Sequence, residues 1–146
     1  MVSVYFFTLI GLTSLLVQLA VLFLLFYGYY LKSKLKFMRH GIVMVVATLL
    51  HFALIFAIMI PSFVYALLPS IFTSFTLLSA IILIHAITGS LAIALAALLA
   101  GLWRFRKNFA DCIGRKNWML PTLGIWVFSL ILGIVLFAIF YGPALL

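Results

Sequence analysis

The sequence predicts an all-α integral membrane protein: an up-and-down bundle of four transmembrane helices, with both termini on the non-cytoplasmic side. Three observations carry this. Of 146 residues, 69% are hydrophobic and 7% are charged, more apolar surface than a soluble domain of that length can bury. The apolar residues fall into four runs, each near the ~20 residues a spanning helix needs, and together they use up the chain as one transmembrane domain, 1–146. All nine Lys and Arg residues lie in two connections: Lys32, Lys34, Lys36 and Arg39 in one, and Arg104, Arg106, Lys107, Arg115 and Lys116 in the other. Basic connections mark the cytoplasmic side, so a multi-pass protein of the cell (plasma) membrane is expected, its first and third connections inside.

Span one covers roughly Ser3–Leu31. It has no basic leader and no small-residue cleavage site, and it exceeds the ~7–15 apolar residues of a signal peptide, so a retained helix is expected. Gly11, Ser14 and Gln18 share one face, and the Gln18 amide near mid-membrane is expected to point inward. Span two covers roughly His40–Ala66, starting near Arg39 or Gly41 and ending at Pro61 or Pro69. Pro61 either kinks a long helix or ends a short one. The stretch "PSFVYALLPSIFTSF" then reads as an apolar outer connection or helix extension. Span three covers roughly Leu77–Trp103. Its small residues Gly89, Ala92, Ala96 and Ala100 recur at helical spacing on the face that carries His85. Span four covers roughly Trp118–Tyr141, with Pro121 in its first turns and a small-xxx-small pair in Ser129 and Gly133. Plain helix packing accounts for all these stripes. Tyr29, Tyr30, Trp103 and Trp118 flank the basic connections, as interfacial anchors do.

The formal charge is +8, but its two clusters sit against apolar runs, which points to anionic lipid headgroups and not to nucleic acid. There is no Glu, and Asp111, inside a basic connection, is the single acid. Paired-carboxylate catalysis and a carboxylate proton relay across the membrane are therefore excluded within this chain. Cys112 is the single cysteine, which excludes an internal disulfide and a cysteine zinc cluster. Nearby Arg106, Lys107 and Arg115 favour its thiolate, while a bystander thiol is the simpler reading. No Ser–His–Asp set and no phosphate loop occurs. The expectation is a non-catalytic subunit or assembly factor.

Three histidines stand out: His40, His51 and His85. An ionisable side chain inside a span is costly without a partner and marks a functional site by default. With no carboxylate in the spans, each is either a neutral imidazole bonded to backbone, hydroxyl or Gln18, or a ligand to haem or metal. His40 and His51 return to within about 20° of one helix face but stand about 16 Å apart along the axis, so they cannot share a metal. His51 and His85 come level if span two is counted from Pro61. Counted from the basic connections they miss by roughly 10 Å. If level, they are candidate axial ligands of a b-type haem, with Ala47 and Gly89 one turn away leaving room for the macrocycle. The outer half offers no Arg or Lys to haem propionates. A copper site at His40 and Met44, one turn apart, is the runner-up, since a thioether suits Cu(I). Histidines with satisfied hydrogen bonds and no cofactor are the third reading.

Three stretches, "LKFMRHGIVM", "IILIHAITGSLAIALAALLAGLW" and "RKNWMLPTLGIWVFSLILGIVLFAIFYG", resemble a family of small four-helix membrane proteins, the domain-of-unknown-function 420 family. They cover about the last three quarters of the chain in order. Some members of that family are linked to maturation of haem–copper cytochrome oxidase. By position the resemblance carries over His40, Met44 and His85. The family pattern usually places a histidine in the basic connection before span four, and this chain has "DCIGRKNW" there. The resemblance implies a role near a terminal oxidase or related respiratory complex: holding a cofactor for electron transfer, or assisting cofactor insertion. The competing expectation is a cofactor-free accessory subunit that meets other membrane subunits through its small-residue and aromatic faces. A transporter is disfavoured by the lack of acids and of paired broken helices.

Overall fold

The computed structural model describes residues 2–69, 75–103 and 116–145. Helix α1 is Val2–Ser33. Helix α2 runs from Phe37 to Leu54 and continues unbroken through a π-helical turn, Ile55–Met59, a short α turn, Ile60–Ser62, and a second π-helical turn, Phe63–Leu67. Helix α3 is Leu77–Trp103 and α4 is Lys116–Leu145. Each contains a segment long and apolar enough to cross a membrane. The helices pack in a ring, α1 on α2, α2 on α3, α3 on α4 and α4 on α1, the up-and-down arrangement that short connections dictate.

The buried positions explain the ring. In α1 they are Gly11, Gln18, Val21, Leu25, Gly28 and Leu31; in α4 they are Thr122, Trp126, Ser129, Leu130, Gly133 and Leu136. Steps of three, four and seven keep them on one face. In α3, Gly89, Ala92 and Ala96 are buried as the sequence predicts, while Ala100 is half-buried at the edge of the stripe. Lipid is as apolar as leucine, so close backbone approach and dispersion do the holding. Val21, Leu25, Ala47, Ala92, Ala96, Trp126 and Leu130 form the core, which fills the middle of the bundle and the half nearer Lys32–Arg39.

Local chemistry sets the helix ends. The α1–α2 turn closes with Leu35 N–H donating to Lys32 O at 3.0 Å and Lys36 N–H to Leu31 O at 3.0 Å. This is a Schellman cap, which needs a left-handed residue at its fifth position. Leu35 supplies it at φ 57°, where glycine is the usual choice. Helix α3 opens on a reciprocal cap: Ser79 N–H donates to Thr76 Oγ1, and Thr76 N–H to Ser79 Oγ, both at 3.3 Å. A serine here plays the part that Glu or Gln takes in the usual capping box.

In span two the helix continues past Pro61 to Pro69, the longer of the two ends the sequence offered, so the stretch after Pro61 is a helix extension. What the sequence did not offer is the pair of π-helical turns along it. Each π turn stops two residues short of a proline, Met59 before Pro61 and Leu67 before Pro69. A proline lacks an N–H and crowds the carbonyl four residues back, here those of Ala57 and Tyr65. Both carbonyls fall inside the widened turns, which make the room. Beyond Leu54 this helix makes little close backbone contact with the other three. The bundle therefore splays at the end away from the Lys32–Arg39 turn.

Candidate functional site

The splay leaves a cavity of about 350 Å³ between the four helices. Its polar lining comes from Ser14 and Gln18 of α1, His51 of α2, His85 and Ser90 of α3, and Ser129 of α4. The remaining wall is aliphatic and aromatic, with Phe63, Phe137, Phe140 and Tyr141 among it. No charged side chain lines it among the described residues.

Two histidines reach this cavity with opposite hydrogen-bond polarity. His51 is 2% exposed, and its Nδ1 receives the indole N–H of Trp126 at 2.6 Å, with the rings 5.5 Å apart. An indole N–H only donates, so Nδ1 carries the lone pair and the His51 proton sits on Nε2. His85 is the mirror case. Its Nδ1–H donates to the Ser129 carbonyl at 2.9 Å. A carbonyl only accepts, so the neutral ring keeps its lone pair on Nε2. One cavity thus has an N–H donor at His51 and a nitrogen acceptor at His85. Trp126 and Ser129 are three residues apart, about 4.5 Å along α4. The two imidazoles meet α4 one turn apart, between the two depths that the sequence allowed.

Gln18 completes the set. It is 5% exposed, and its Nε2 donates to Ser14 Oγ at 3.2 Å. Its Oε1 is buried with no partner among the described residues. Gly133 explains the geometry: a Cβ there would collide with Gln18 Oε1 and come within 3.0 Å of His85 Cε1. The missing side chain lets the amide oxygen and the imidazole share one space. Gly89 likewise leaves room for Ser129 Oγ, 3.0 Å from where its Cβ would stand.

The third histidine lies elsewhere. His40 donates Nδ1–H to the Gly28 carbonyl of α1 at 2.8 Å. Met44 Sδ packs on the same glycine, 2.9 Å from where a Cβ would be. His40 and Met44 do come together, as the spacing predicts, but their meeting place is the α1–α2 contact and not the cavity. Each histidine ties two helices: His40 joins α2 to α1, His51 joins α2 to α4 across the ring, and His85 joins α3 to α4.

This geometry can be tested against the expected cofactors. A histidine that binds iron or copper through Nε2 donates its Nδ1–H to an acceptor. His85 and His40 have that arrangement. His51 does not, because Trp126 offers a second donor where an acceptor is required. Paired ligation of one haem by His51 and His85 therefore does not fit the site as it stands, whereas His85 alone presents a competent nitrogen. Among the described residues no three His, Cys, Asp or Glu side chains gather around one point.

Trp126 is the residue of this candidate site that the sequence did not single out. Trp103 and Trp118 stand beside the basic connections, and Trp126 lies just over two turns beyond Trp118 along α4 and is fully buried; an indole that deep needs a buried acceptor. Lys34, Lys36 and Arg39 are exposed and Lys32 is half-buried. The Lys32 and Lys34 ammonium groups lie 6.0 and 5.7 Å from the Tyr29 and Tyr30 ring centres, as expected of an interfacial belt. Lys116 begins α4, while Arg104, Arg106, Lys107, Asp111, Cys112 and Arg115 lie outside the described residues.

The chain matches no family model, no curated protein and no solved structure. No family is thereby identified, and the chemistry of the site rests on its own geometry.

Proposed function

We propose that this small multi-pass protein is a non-catalytic subunit that holds a ligand in the far half of its bundle, with His85 Nε2 as the principal contact. The observation that carries this is the cavity itself: the imidazoles of His51 and His85 and the Gln18 amide line one apolar space, and the Gln18 Oε1 is buried without a partner among the described residues. Buried polar groups are normally paired, so such a convergence around a void has the pattern of a binding site. The resemblance to a family with members linked to oxidase maturation suggests the setting, an electron-transfer or oxidase-assembly complex in the cell membrane. In that setting haem b or a metal held by the single nitrogen of His85 is the redox form of the reading. Copper at His40 and Met44 is its lesser form, supported by their packing over Gly28.

The test is the protein purified in mild detergent, examined by visible absorption, metal analysis and mass spectrometry of extracted small molecules. The reading expects a bound species in the wild type that is missing from His85→Ala. Purified protein carrying only phospholipid, together with a host complex unaffected by His85→Ala, overturns it.

A second reading has its own observation. All three Nδ1 atoms already bond between helices, which suits histidines used as braces in a cofactor-free accessory subunit. Under that reading each His→Ala change lowers stability and none changes what the protein carries.

A further inference from the structure

We infer that the face of α1 ending at Lys34 holds an anionic glycerophospholipid as a bound partner, its phosphate at the α1–α2 turn and one acyl chain along the stacked rings of Phe23, Tyr27 and Tyr30. The site is separate from the cavity and stands whether or not the cavity holds a ligand.

Charge balance comes first. The chain has nine Lys and Arg residues against the single acid Asp111, so Lys32, Lys34, Lys36 and Arg39 cannot all be neutralised from within it. Lys34, Lys36 and Arg39 are exposed. They stand just past the end of a membrane-spanning segment, Thr8–Ser33, where the abundant anions are lipid phosphates.

The rings turn a general attraction into a site. Phe23, Tyr27 and Tyr30 follow steps of four and three along one stripe of α1, and Lys34 comes four residues later. The Phe23 and Tyr27 rings stack 6.3 Å apart with planes 2° from parallel, and Tyr27 and Tyr30 stack 6.4 Å apart at 23°. The Lys34 ammonium lies 5.7 Å from the centre of the last ring. All three rings are between 41% and 67% exposed, so they face lipid and no other helix covers them. From Phe23 to the end of α1 at Ser33 the stripe rises about 15 Å, one leaflet of a hydrocarbon core about 30 Å thick. An interfacial belt accounts for Tyr30 but not for Phe23, about 10 Å deeper. Beyond Phe23 the same face turns aliphatic, with Leu19, Leu16, Leu12 and Leu9 exposed. The aromatic strip is thus confined to the leaflet that carries the cations. Near-parallel rings in a row offer an extended acyl chain continuous dispersion contact. A zwitterionic lipid gains the same strip but brings its own cation towards Lys34, so the site selects net negative charge.

The experiment is fluorescence quenching of the full chain in phosphatidylcholine nanodiscs. Tyr27→Trp puts an indole on the strip, and Leu16→Trp puts one on the same face in the other leaflet. Both positions face lipid, and the wild type is subtracted for its own three tryptophans. The quencher is phosphatidylglycerol with brominated chains, added in rising mole fraction, and the comparison is phosphatidylcholine with the same chains. At position 27, half-maximal loss of fluorescence should need at least about fivefold less of the anionic lipid, the effect of one cation near the surface. Adding Lys34→Gln should remove most of that difference. At position 16 the two lipids should quench alike. Soluble glycerophosphoglycerol, the headgroup without chains, should not reverse the quenching.

Equal quenching by the two lipids at position 27 overturns the inference. So does a preference that Lys34→Gln leaves unchanged, or one that appears equally at position 16. Reversal by glycerophosphoglycerol makes the turn a site for free phosphate and removes the lipid assignment.

Discussion

Trp126 and Ser129 assign different roles to two histidines that look alike in the sequence. An indole N–H can only give and a carbonyl can only receive, so His51 and His85 are held as opposite tautomers within one cavity. Trp126→Phe keeps the ring volume and removes the donor, leaving His51 Nδ1 unpaired. It should lower stability by about 1–2 kcal/mol, in the range of side-chain hydrogen bonds inside membranes, as read by reversible denaturation in mixed micelles. The same change frees His51 to place its proton on Nδ1, which would turn its Nε2 from a donor into an acceptor. At Gly133 a methyl group would meet Gln18 and His85, so Gly133→Ala should cost about 1–3 kcal/mol as an overpacked site. At Gly124 a Cβ meets nothing within 4 Å, and Gly124→Ala should be neutral or stabilising by about 0.5–1 kcal/mol through helix propensity. The inward Gln18, the Gly89–Ala92–Ala96 stripe and the Ser129–Gly133 pair were legible in the sequence, because helical spacing puts small and polar residues on the contact face. Trp126 as the partner of His51, and Gly28 as that of His40, were not. Periodicity gives the face of each helix, and the partner depends on how the helices dock.

At the scale of the element, the two prolines of α2 govern the shape of the site. Hydropathy and length place all four helices close to their observed bounds, and the aromatic flanks mark the basic ends. The course of α2 beyond Leu54 was open, since a proline ends, kinks or widens a helix according to what packs against it. Here two π turns absorb Pro61 and Pro69, and the segment stands off from its neighbours. Pro61→Ala should restore ordinary helical bonding at the first turn and draw that segment inward. Spin labels on exposed positions such as Val64 of α2 and Ile84 of α3 would report a shorter separation, and the cavity would bind its ligand more weakly. At the other end, Leu35 holds a left-handed backbone while its side chain is largely exposed. Leu35→Gly should stabilise the fold by about 1 kcal/mol, the cost of an L-residue in that conformation.

For the whole molecule, core and cavity occupy opposite halves of one ring. The half toward Lys32–Arg39 is closed by small residues, Leu25 and Trp126. The half away from it is opened by the departure of α2 and lined by His51, His85 and Gln18. With the basic connections in the cytoplasm, as the positive-inside rule expects, the cavity would face the outer leaflet. A cysteine placed at Thr76 should react with impermeant maleimide on intact cells, and one at Lys34 only after permeabilisation; the reverse pattern would invert the assignment.

One cavity holds two imidazoles of opposite tautomer, and long-range proton–nitrogen NMR of the histidine rings measures this directly in the full chain. The prediction is a protonated Nε2 and bare Nδ1 at His51, and a protonated Nδ1 and bare Nε2 at His85, with each signal assigned by single His→Gln variants. The same tautomer at both rings, or His51 protonated on Nδ1, would rule out this arrangement.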